Sequence, residues 1–231
     1  MDVYLCIASE WYSQSGGLSS FNRQLCLSLA KIQKVYCYLP DFTDDEFNHA
    51  KRHSVKLIKP KRIYGIPVEQ SMMNKPVLEG TDIPGYLLGH DRFLGPTMLF
   101  LQINYFPAAK TAFFIHTNPG EIELYKPEQK DVDHAFKSEE REKIQKETAK
   151  NSSLIVAVGP KLFYDVQSYM SGIDGLPPIV RYDPGLLQPP SSINYESKSQ
   201  IPQAFIMGRL DDYHLKGVDI AYRSMNRLFK Q

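Results

Sequence analysis

Residues 3–39 read VYLCIASEWYSQSGGLSSFNRQLCLSLAKIQKVYCYL, and this stretch decides the fold. An apolar run over 3–8 predicts a strand, which the polar residues and glycines at 13–17 then break. Apolar residues follow at helical spacing, so an amphipathic helix with one apolar stripe is expected over 18–32. The stripe consists of Leu18, Phe21, Leu25, Leu29 and Ile32. A second apolar run follows at 35–39, and the three elements together predict a βαβ unit with a parallel sheet.

The rest of the chain continues this alternation of strands and helices. Short, nearly continuous apolar runs are typical of strands that are covered on both faces. They lie at 55–58, 86–88, 112–115, 154–158, 179–181 and 204–207. Helices are predicted around 96–106, 137–150, 161–170 and 217–229. In the charged helix over 137–150, we expect Phe136, Ile144 and Thr148 to form a narrow inner face. The fold class is therefore α/β, a Rossmann-like parallel sheet with helices on both faces.

The composition excludes several classes of protein. With 27 Lys and Arg against 26 Asp and Glu in 231 residues, the net charge is +1, so no nucleic-acid partner is expected. No window reaches the ~20 apolar residues that span a bilayer, so no transmembrane segment is expected. Cys6, Cys26 and Cys37 are an odd number of cysteines in apolar stretches, which favours reduced thiols. Together with an N-terminus unlike a signal peptide, this predicts a cytoplasmic protein.

A proline-rich and serine-rich stretch near the end of the chain marks a domain boundary. Residues 184–202 contain four prolines and few apolar residues, a composition typical of linkers. The single strand and helix that follow have too little surface to bury their own apolar faces. We therefore expect a Rossmann-like domain over 1–185, a linker over 186–203, and over 204–231 the truncated first βα unit of a second Rossmann-like domain.

Polar residues follow several predicted strands, at the edge of a parallel sheet where ligands bind. His116 either binds a ligand there or is a structural residue. Gly16 and Gly17 either let backbone N–H groups approach an anion at the start of a helix or form a plain tight turn. Trp11 either stacks on a sugar face or plugs the edge of the sheet. The sequence contains neither a dinucleotide fingerprint, nor a P-loop, nor a metal-ligand spacing, so no metal site is expected.

A second polar pair, His90-Asp91, also follows a predicted strand. Asp91 either faces the same sheet edge or caps the turn before a helix that starts at Gly95-Pro96. Three further polar residues follow the strand at 112–115 in a stretch that either lines an acceptor cleft or is solvated: Asn118, Glu121 and Glu123.

These motifs, taken in order along most of the chain, resemble the retaining GT-B glycosyltransferases of family four. The matching stretches are Glu10, Ser15-Gly16-Gly17-Leu18, Gly89-His90-Asp91, Phe114-Ile115-His116-Thr117, Leu154 to Pro160, Phe205 to Leu210 and Leu215-Lys216-Gly217. The resemblance implies an enzyme that transfers a hexosyl unit from a nucleotide diphosphate sugar to a glycan or small-molecule acceptor. It implies that the anomeric configuration is retained and that no cofactor or metal is required.

The resemblance also implies a role for each matching residue. His116 is placed against the transferred sugar as the catalytic residue. Four residues are expected to hold the donor diphosphate, whose negative charge grows as it leaves. They are Gly16, Gly17, Arg209 and Lys216. The remaining candidates are assigned to the acceptor or the sugar: Glu10, Trp11, His90, Asp91, Asn118 and Glu121.

The chain departs from the family pattern in one respect. The pair of glutamates that the family carries in its second domain is expected beyond residue 231. A third class, a small-molecule-binding or redox flavodoxin-like protein, is disfavoured because residues 9–13 do not form the phosphate-binding loop that it needs. Two functions within the resemblance remain open on the sequence alone. Either the chain is the N-terminal part of a transferase and is inactive without further domains, or it is a non-catalytic glycan-binding or nucleotide-binding module of a larger receptor or scaffold. The retained residues at the strand ends favour a catalytic ancestry.

Overall fold

The structure, a computed structural model, describes residues 2–12, 17–124, 133–185 and 217–228. Its strands are β1 (Val3–Ile7), β2 (Lys34–Tyr38), β3 (Val55–Ile58), β4 (Tyr86–His90), β5 (Lys110–Ile115), β6 (Leu154–Val158) and β7 (Ile179–Tyr182). Within the described ranges these strands form one sheet in the order β3-β2-β1-β4-β5-β6-β7, and every pairing is parallel. The order reverses between β1 and β4, which is where ligands bind in open α/β sheets.

Helices alternate with the strands along the chain. They are α1 (Gly17–Leu29), α2 (Asp44–Arg52), α3 (Val68–Ser71), α4 (Asp91–Tyr105), α5 (Pro119–Leu124), α6 (His134–Lys150), α7 (Pro160–Tyr169) and α8 (Val218–Leu228). One apolar cluster joins Leu5 of β1 to Met98 of α4 and Val166 of α7. A second cluster, on the opposite face, joins Cys6 of β1 to Cys26 of α1. The Rossmann-like α/β fold expected from the sequence is confirmed.

Helix α1 forms where predicted, but its fully buried residues lie outside the predicted stripe. Its fully buried residues are Ser19, Asn22 and Cys26, whereas the leucine stripe is only partly buried against the same cluster. Ile32, the last member of the expected stripe, follows the helix and is 67% exposed. Phe21, Leu25 and Leu29 of the predicted stripe pack against this cluster, so the stripe is confirmed for these three residues and wrong for Ile32.

Helix α2 was not predicted, although the sequence carries a signal for it. The Thr43 side chain accepts a hydrogen bond from the Glu46 backbone N–H, and the Glu46 carboxylate accepts one from the Thr43 backbone N–H. This reciprocal capping box is a known start signal for helices. Helix α5, over Pro119–Leu124, was likewise not predicted.

Helix α4 begins at Asp91, four residues before the expected start at Gly95-Pro96. Gly95 instead lies inside the helix, where a Cβ atom would stand 2.4 Å from Phe113 Cε2 of β5. A glycine is needed there because the helix passes so close to the strand. Pro96 lies in the second turn of the helix, where it has no N–H to donate to the carbonyl oxygen of Arg92, four residues back.

Helix α6 also differs from the expectation for its inner face. Phe136 is 64% exposed, and the buried residues of the helix are Gln145, Thr148 and Ala149. Gln145 donates from Nε2 to the carbonyl oxygen of Thr117 at 3.2 Å, so the helix is held to the sheet edge by a polar contact. Only Thr148 of the expected inner face is fully buried.

The chain divides into two compact units, one with the described residues of Met1–Asn118 and Glu140–Pro184, the other with those of Pro119–Glu139 and Gly185–Gln231. The expected linker over 186–203 and the expected strand at 204–207 lie outside the described residues. The domain boundaries therefore stay a prediction. Among the described residues, no helix is long and apolar enough to cross a membrane.

Candidate functional site

The candidate site lies at the carboxyl ends of β4 and β5, two neighbouring strands. His90 is the last residue of β4 and pairs in register with Phe114 of β5, and His116 follows directly after β5. The carboxyl ends of parallel strands meet at one edge of the sheet, so the two histidines are brought together by the topology. His90 Nδ1 and His116 Nε2 are 3.1 Å apart.

The two histidines form a hydrogen-bonded chain with Asn22 of α1. His90 Nε2 lies 3.0 Å from Asn22 Oδ1, and Asn22 Nδ2 points to the Cys37 sulfur. Because Asn22 Oδ1 only accepts, His90 Nε2 must carry the proton, and neutral His90 then accepts from His116 Nε2–H at its Nδ1. This arrangement leaves a lone pair on His116 Nδ1.

Burial keeps both imidazoles uncharged. It lowers the pKa of His116 to about 4, and it lowers the pKa of His90 well below its ordinary value, with the neighbouring His116 adding a smaller effect in the same direction. At neutral pH the pair is therefore a neutral donor and acceptor array, suited to hydrogen bonding with hydroxyl groups.

Asp91 completes this edge of the site. Its Oδ1 accepts a hydrogen bond from the His116 backbone N–H at 2.9 Å, so the carboxyl ties the start of α4 to the end of β5. Asp91 does not cap the following turn, which was one of the two alternatives. Its φ is +43°, a left-handed conformation that Asp adopts more readily than most residues. Burial raises its pKa to about 6, and the hydrogen bond from His116 offsets part of that rise.

Phe21 of α1 covers the histidine pair. Its ring meets His116 edge-on at a centroid distance of 4.7 Å and His90 at 6.0 Å, and it also contacts Tyr182 at 5.5 Å. Sequence reasoning missed the roles of Phe21 and Asn22 at the site. The signal for Asn22 was available, since a polar residue on the buried face of a helix needs a buried partner.

The segment after β1 is held by side-chain contacts to α1 and α2. The Ser19 hydroxyl donates to Glu10 Oε1 at 2.7 Å, which ties the loop after β1 to α1. Trp11 is fully buried and donates from Nε1 to His49 Nδ1 at 3.2 Å. The sugar-stacking alternative for Trp11 was therefore wrong, because its ring has no face open to a ligand and instead plugs the sheet edge. Gly17 begins α1 with open space around its Cα, so packing does not require a glycine there.

The remaining candidates follow β5 along the chain or lie in other segments. Asn118 is half-buried in the segment after β5, and Glu121 is exposed on α5, in the second compact unit. Gly16, Arg209 and Lys216 lie outside the described residues, so their role in holding a diphosphate stays a prediction. In the described ranges, no group of three or more His, Cys, Asp or Glu side chains is placed to hold a metal ion.

Comparison with known proteins gives a family match over almost the whole chain. The model described as "Family 4 Glycosyltransferase in conflict systems" matches residues 5–231. No curated protein matches the chain.

Solved structures share its fold at low sequence identity. Sucrose-phosphate synthase (tll1590) from Thermosynechococcus elongatus is 13% identical with a TM-score of 0.56, over 80% of this chain and 49% of that one. Apo UGT2 of Phytolacca americana is 8% identical with a TM-score of 0.50, over 80% of this chain and 52% of that one. The chain thus spans about half the length of the solved structures it matches. At such identities the likeness concerns the fold alone.

Proposed function

This chain belongs to the family 4 glycosyltransferases of conflict systems, and from that membership we propose that it is the acceptor-side part of a sugar-transferring enzyme. The proposed reaction moves a hexosyl unit from a nucleotide diphosphate sugar to an acceptor, with retained anomeric configuration and no metal. One observation supports the proposal in addition to the family match. The neutral His90–His116 pair and Asp91 lie together at the edge of the sheet where ligands bind in this fold class.

The proposed chemistry is a displacement at the anomeric carbon of the donor sugar. The bond from that carbon to the diphosphate oxygen breaks, and its electron pair leaves with the nucleoside diphosphate. The acceptor oxygen forms the new bond on the same face, and its proton goes to the departing phosphate. Negative charge grows on the diphosphate, so fixed cations there stabilise the transition state. Arg209 and Lys216 are the proposed cations, and backbone N–H groups at Gly16-Gly17 the proposed anion contacts.

His116 is proposed to hold the transferred sugar. Its Nε2–H is directed to His90, so the lone pair on Nδ1 is the atom offered to a sugar hydroxyl. Because burial lowers its pKa to about 4, His116 stays neutral at neutral pH and accepts such a hydrogen bond. The Asn22–His90 pair keeps this tautomer in place, so His90 and Asn22 are positioning residues in the proposal.

Donor binding is tested by calorimetric titration of the chain with UDP, GDP and their common hexose conjugates. We expect either the uridine or the guanosine series to bind. Arg209→Ala and Lys216→Ala are each expected to weaken this binding about tenfold, because each removes one charged contact. Arg227→Ala, an exposed arginine on α8, is the matched control and is expected to bind normally. Failure of every nucleotide to bind, or full binding by both variants, contradicts the proposal.

Turnover separates the enzyme from the alternative of a non-catalytic binding module. We expect release of nucleoside diphosphate that depends on an acceptor when the longest form of the protein is supplied with the donor that binds. NMR of the product is expected to show a retained anomeric configuration. Binding of a nucleotide sugar with no transfer to any acceptor would favour the binding module instead, and an inverted product would contradict the proposed mechanism.

A further inference from the structure

A cavity of about 460 Å³ opens beside the candidate site. Ser9 after β1, Pro40 after β2 and His90 at the end of β4 contribute to its wall, which places it where the strand order reverses. Leu18 of α1, residues of α3 and the segment just after it, and the first turns of α4 contribute the rest of the wall. Its volume falls within the ~300–1,000 Å³ that is usual for small-molecule sites. The cavity is therefore large enough for a ligand and lies where this fold class binds one.

The walls of this cavity are largely apolar. Met72 and Met73 line it from the end of α3, and Phe93 and Leu94 line it from the first turn of α4. Met73 is 37% exposed and Phe93 69% exposed, so both present apolar surface to solvent. Methionine side chains adapt to the shape of an apolar partner. Walls of this kind favour a ligand with an apolar body.

One end of the cavity is polar and belongs to the candidate site. Asp91 lines it, and its Oδ1 is already engaged by the His116 backbone N–H. Among the described residues, no donor pairs with the second oxygen, Oδ2. A ligand in the cavity can therefore satisfy Oδ2 by donating one hydrogen bond to it.

The lining argues against two other occupants. None of the described residues that line the cavity is Lys or Arg, and Glu69 and Asp91 are both acidic, so a diphosphate is disfavoured. A glycan would bring many hydroxyl groups against apolar walls, where each unpaired hydroxyl loses its hydrogen bonds to water. The chemistry of the walls thus selects an uncharged, mainly apolar molecule with a single donor group.

We propose that this cavity binds the acceptor of the transfer reaction, and that the acceptor is an apolar, flat or aliphatic molecule whose O–H or N–H donates to Asp91. This inference rests on the proposed function, which supplies the need for an acceptor. It narrows the acceptor class expected from the sequence, because it excludes glycans from this cavity.

The test uses 1-naphthol, a flat apolar molecule with one hydroxyl, and maltose as a glycan probe, each titrated into the chain by calorimetry. We expect saturable binding of 1-naphthol and none of maltose. Met73→Glu places a charge in the apolar wall and is expected to weaken naphthol binding at least about tenfold. Val77→Glu, at a position that is 81% exposed and outside the lining, is the matched control and is expected to bind normally. Asp91→Asn replaces the accepting oxygen with a donor and is also expected to weaken binding.

The outcomes separate this inference from the proposed function. Undiminished naphthol binding in Met73→Glu, or maltose binding that Met73→Glu abolishes, overturns the inference. If nucleotides bind the chain and 1-naphthol does not, the acceptor class is wrong and the proposed function stands. If 1-naphthol binds in the cavity and no nucleotide binds the chain, the role of the cavity as an acceptor site is overturned together with the proposed function.

Discussion

Replacing Asp91 by Asn is expected to stabilise the protein, and to do so more at higher pH. The carboxyl has a pKa of about 6 in the folded protein, against an ordinary value of 3.8, because burial disfavours its charge. As pH rises through this interval the unfolded chain loses the proton first, so the wild-type protein loses stability. At about 1.4 kcal/mol per pKa unit, Asp91 lowers the free energy of unfolding of the wild-type protein by about 3 kcal/mol at pH 7.5 and by about 1 kcal/mol at pH 4.5. Asp91→Asn is expected to recover these amounts.

Asparagine keeps the local structure while removing this ionisation. It tolerates the φ of +43° at this position, and its side-chain oxygen still accepts from the His116 backbone N–H. Urea unfolding of both proteins at the two pH values measures the effect. Asp183→Asn, which removes an exposed carboxylate paired with Arg181, is the control and is expected to change stability by less than about 1 kcal/mol at either pH. A variant that is no more stable than the wild type at pH 7.5, or whose gain does not shrink in acid, refutes the assignment of a buried, ionising carboxyl to Asp91.

Three further predictions concern the same edge of the sheet and its support. The wild-type protein is expected to lose stability on acidification, because the pKa of His116 is about 4 in the folded protein and 6.5 in the unfolded chain, so protonation favours unfolding. His116→Gln is expected to reduce this loss by about 3 kcal/mol between pH 6.5 and pH 4. Acid unfolding followed by circular dichroism measures the effect, and an unchanged dependence of stability on pH contradicts it. Gly95→Ala is expected to lower the free energy of unfolding in urea by about 1–3 kcal/mol, because the new Cβ atom would clash with the Phe113 ring of β5. Gly17→Ala, which has open space around it, is expected to lower it by less than about 1 kcal/mol. Equal losses in the two variants would contradict the close approach of α4 to β5. Trp11→Phe is expected to lower the free energy of unfolding by about 1–3 kcal/mol, because His49 Nδ1 loses its hydrogen-bond donor. Nucleotide affinity is expected to be unchanged. A loss of nucleotide affinity without a loss of stability would support the sugar-stacking role of Trp11.

The sheet was predictable from the sequence because its strands are buried on both faces. Short apolar runs such as 154–158 have no solvated alternative in a folded domain, so they coincide with strands. The helices were harder to predict. The buried face of α1 carries Ser19, Asn22 and Cys26, and Asn22 Nδ2 lies 3.5 Å from the Cys37 sulfur of β2. Apolar spacing alone carries no information about that distance.

The site was predictable in part. The placement of His90 and His116 at strand ends followed from the chain pattern, but their contact depends on β4 and β5 being neighbours in the sheet. The early start of α4 depends on a left-handed residue, and one Asp among many carries no local signal for that conformation. The partner of Trp11 lies 38 positions away on α2, so the choice between stacking and plugging required the fold.

The most direct test of the account compares a nucleoside diphosphate with its hexose conjugate in the wild-type protein and in His116→Ala. The two ligands differ only in the sugar, so the difference between their affinities reports contacts to the sugar alone. We expect calorimetry to show tighter binding of the conjugate by the wild-type protein, and to show that this preference disappears in His116→Ala while the affinity for the free diphosphate is unchanged. The same preference in both proteins would contradict the placement of the transferred sugar against His116, and with it the proposed site.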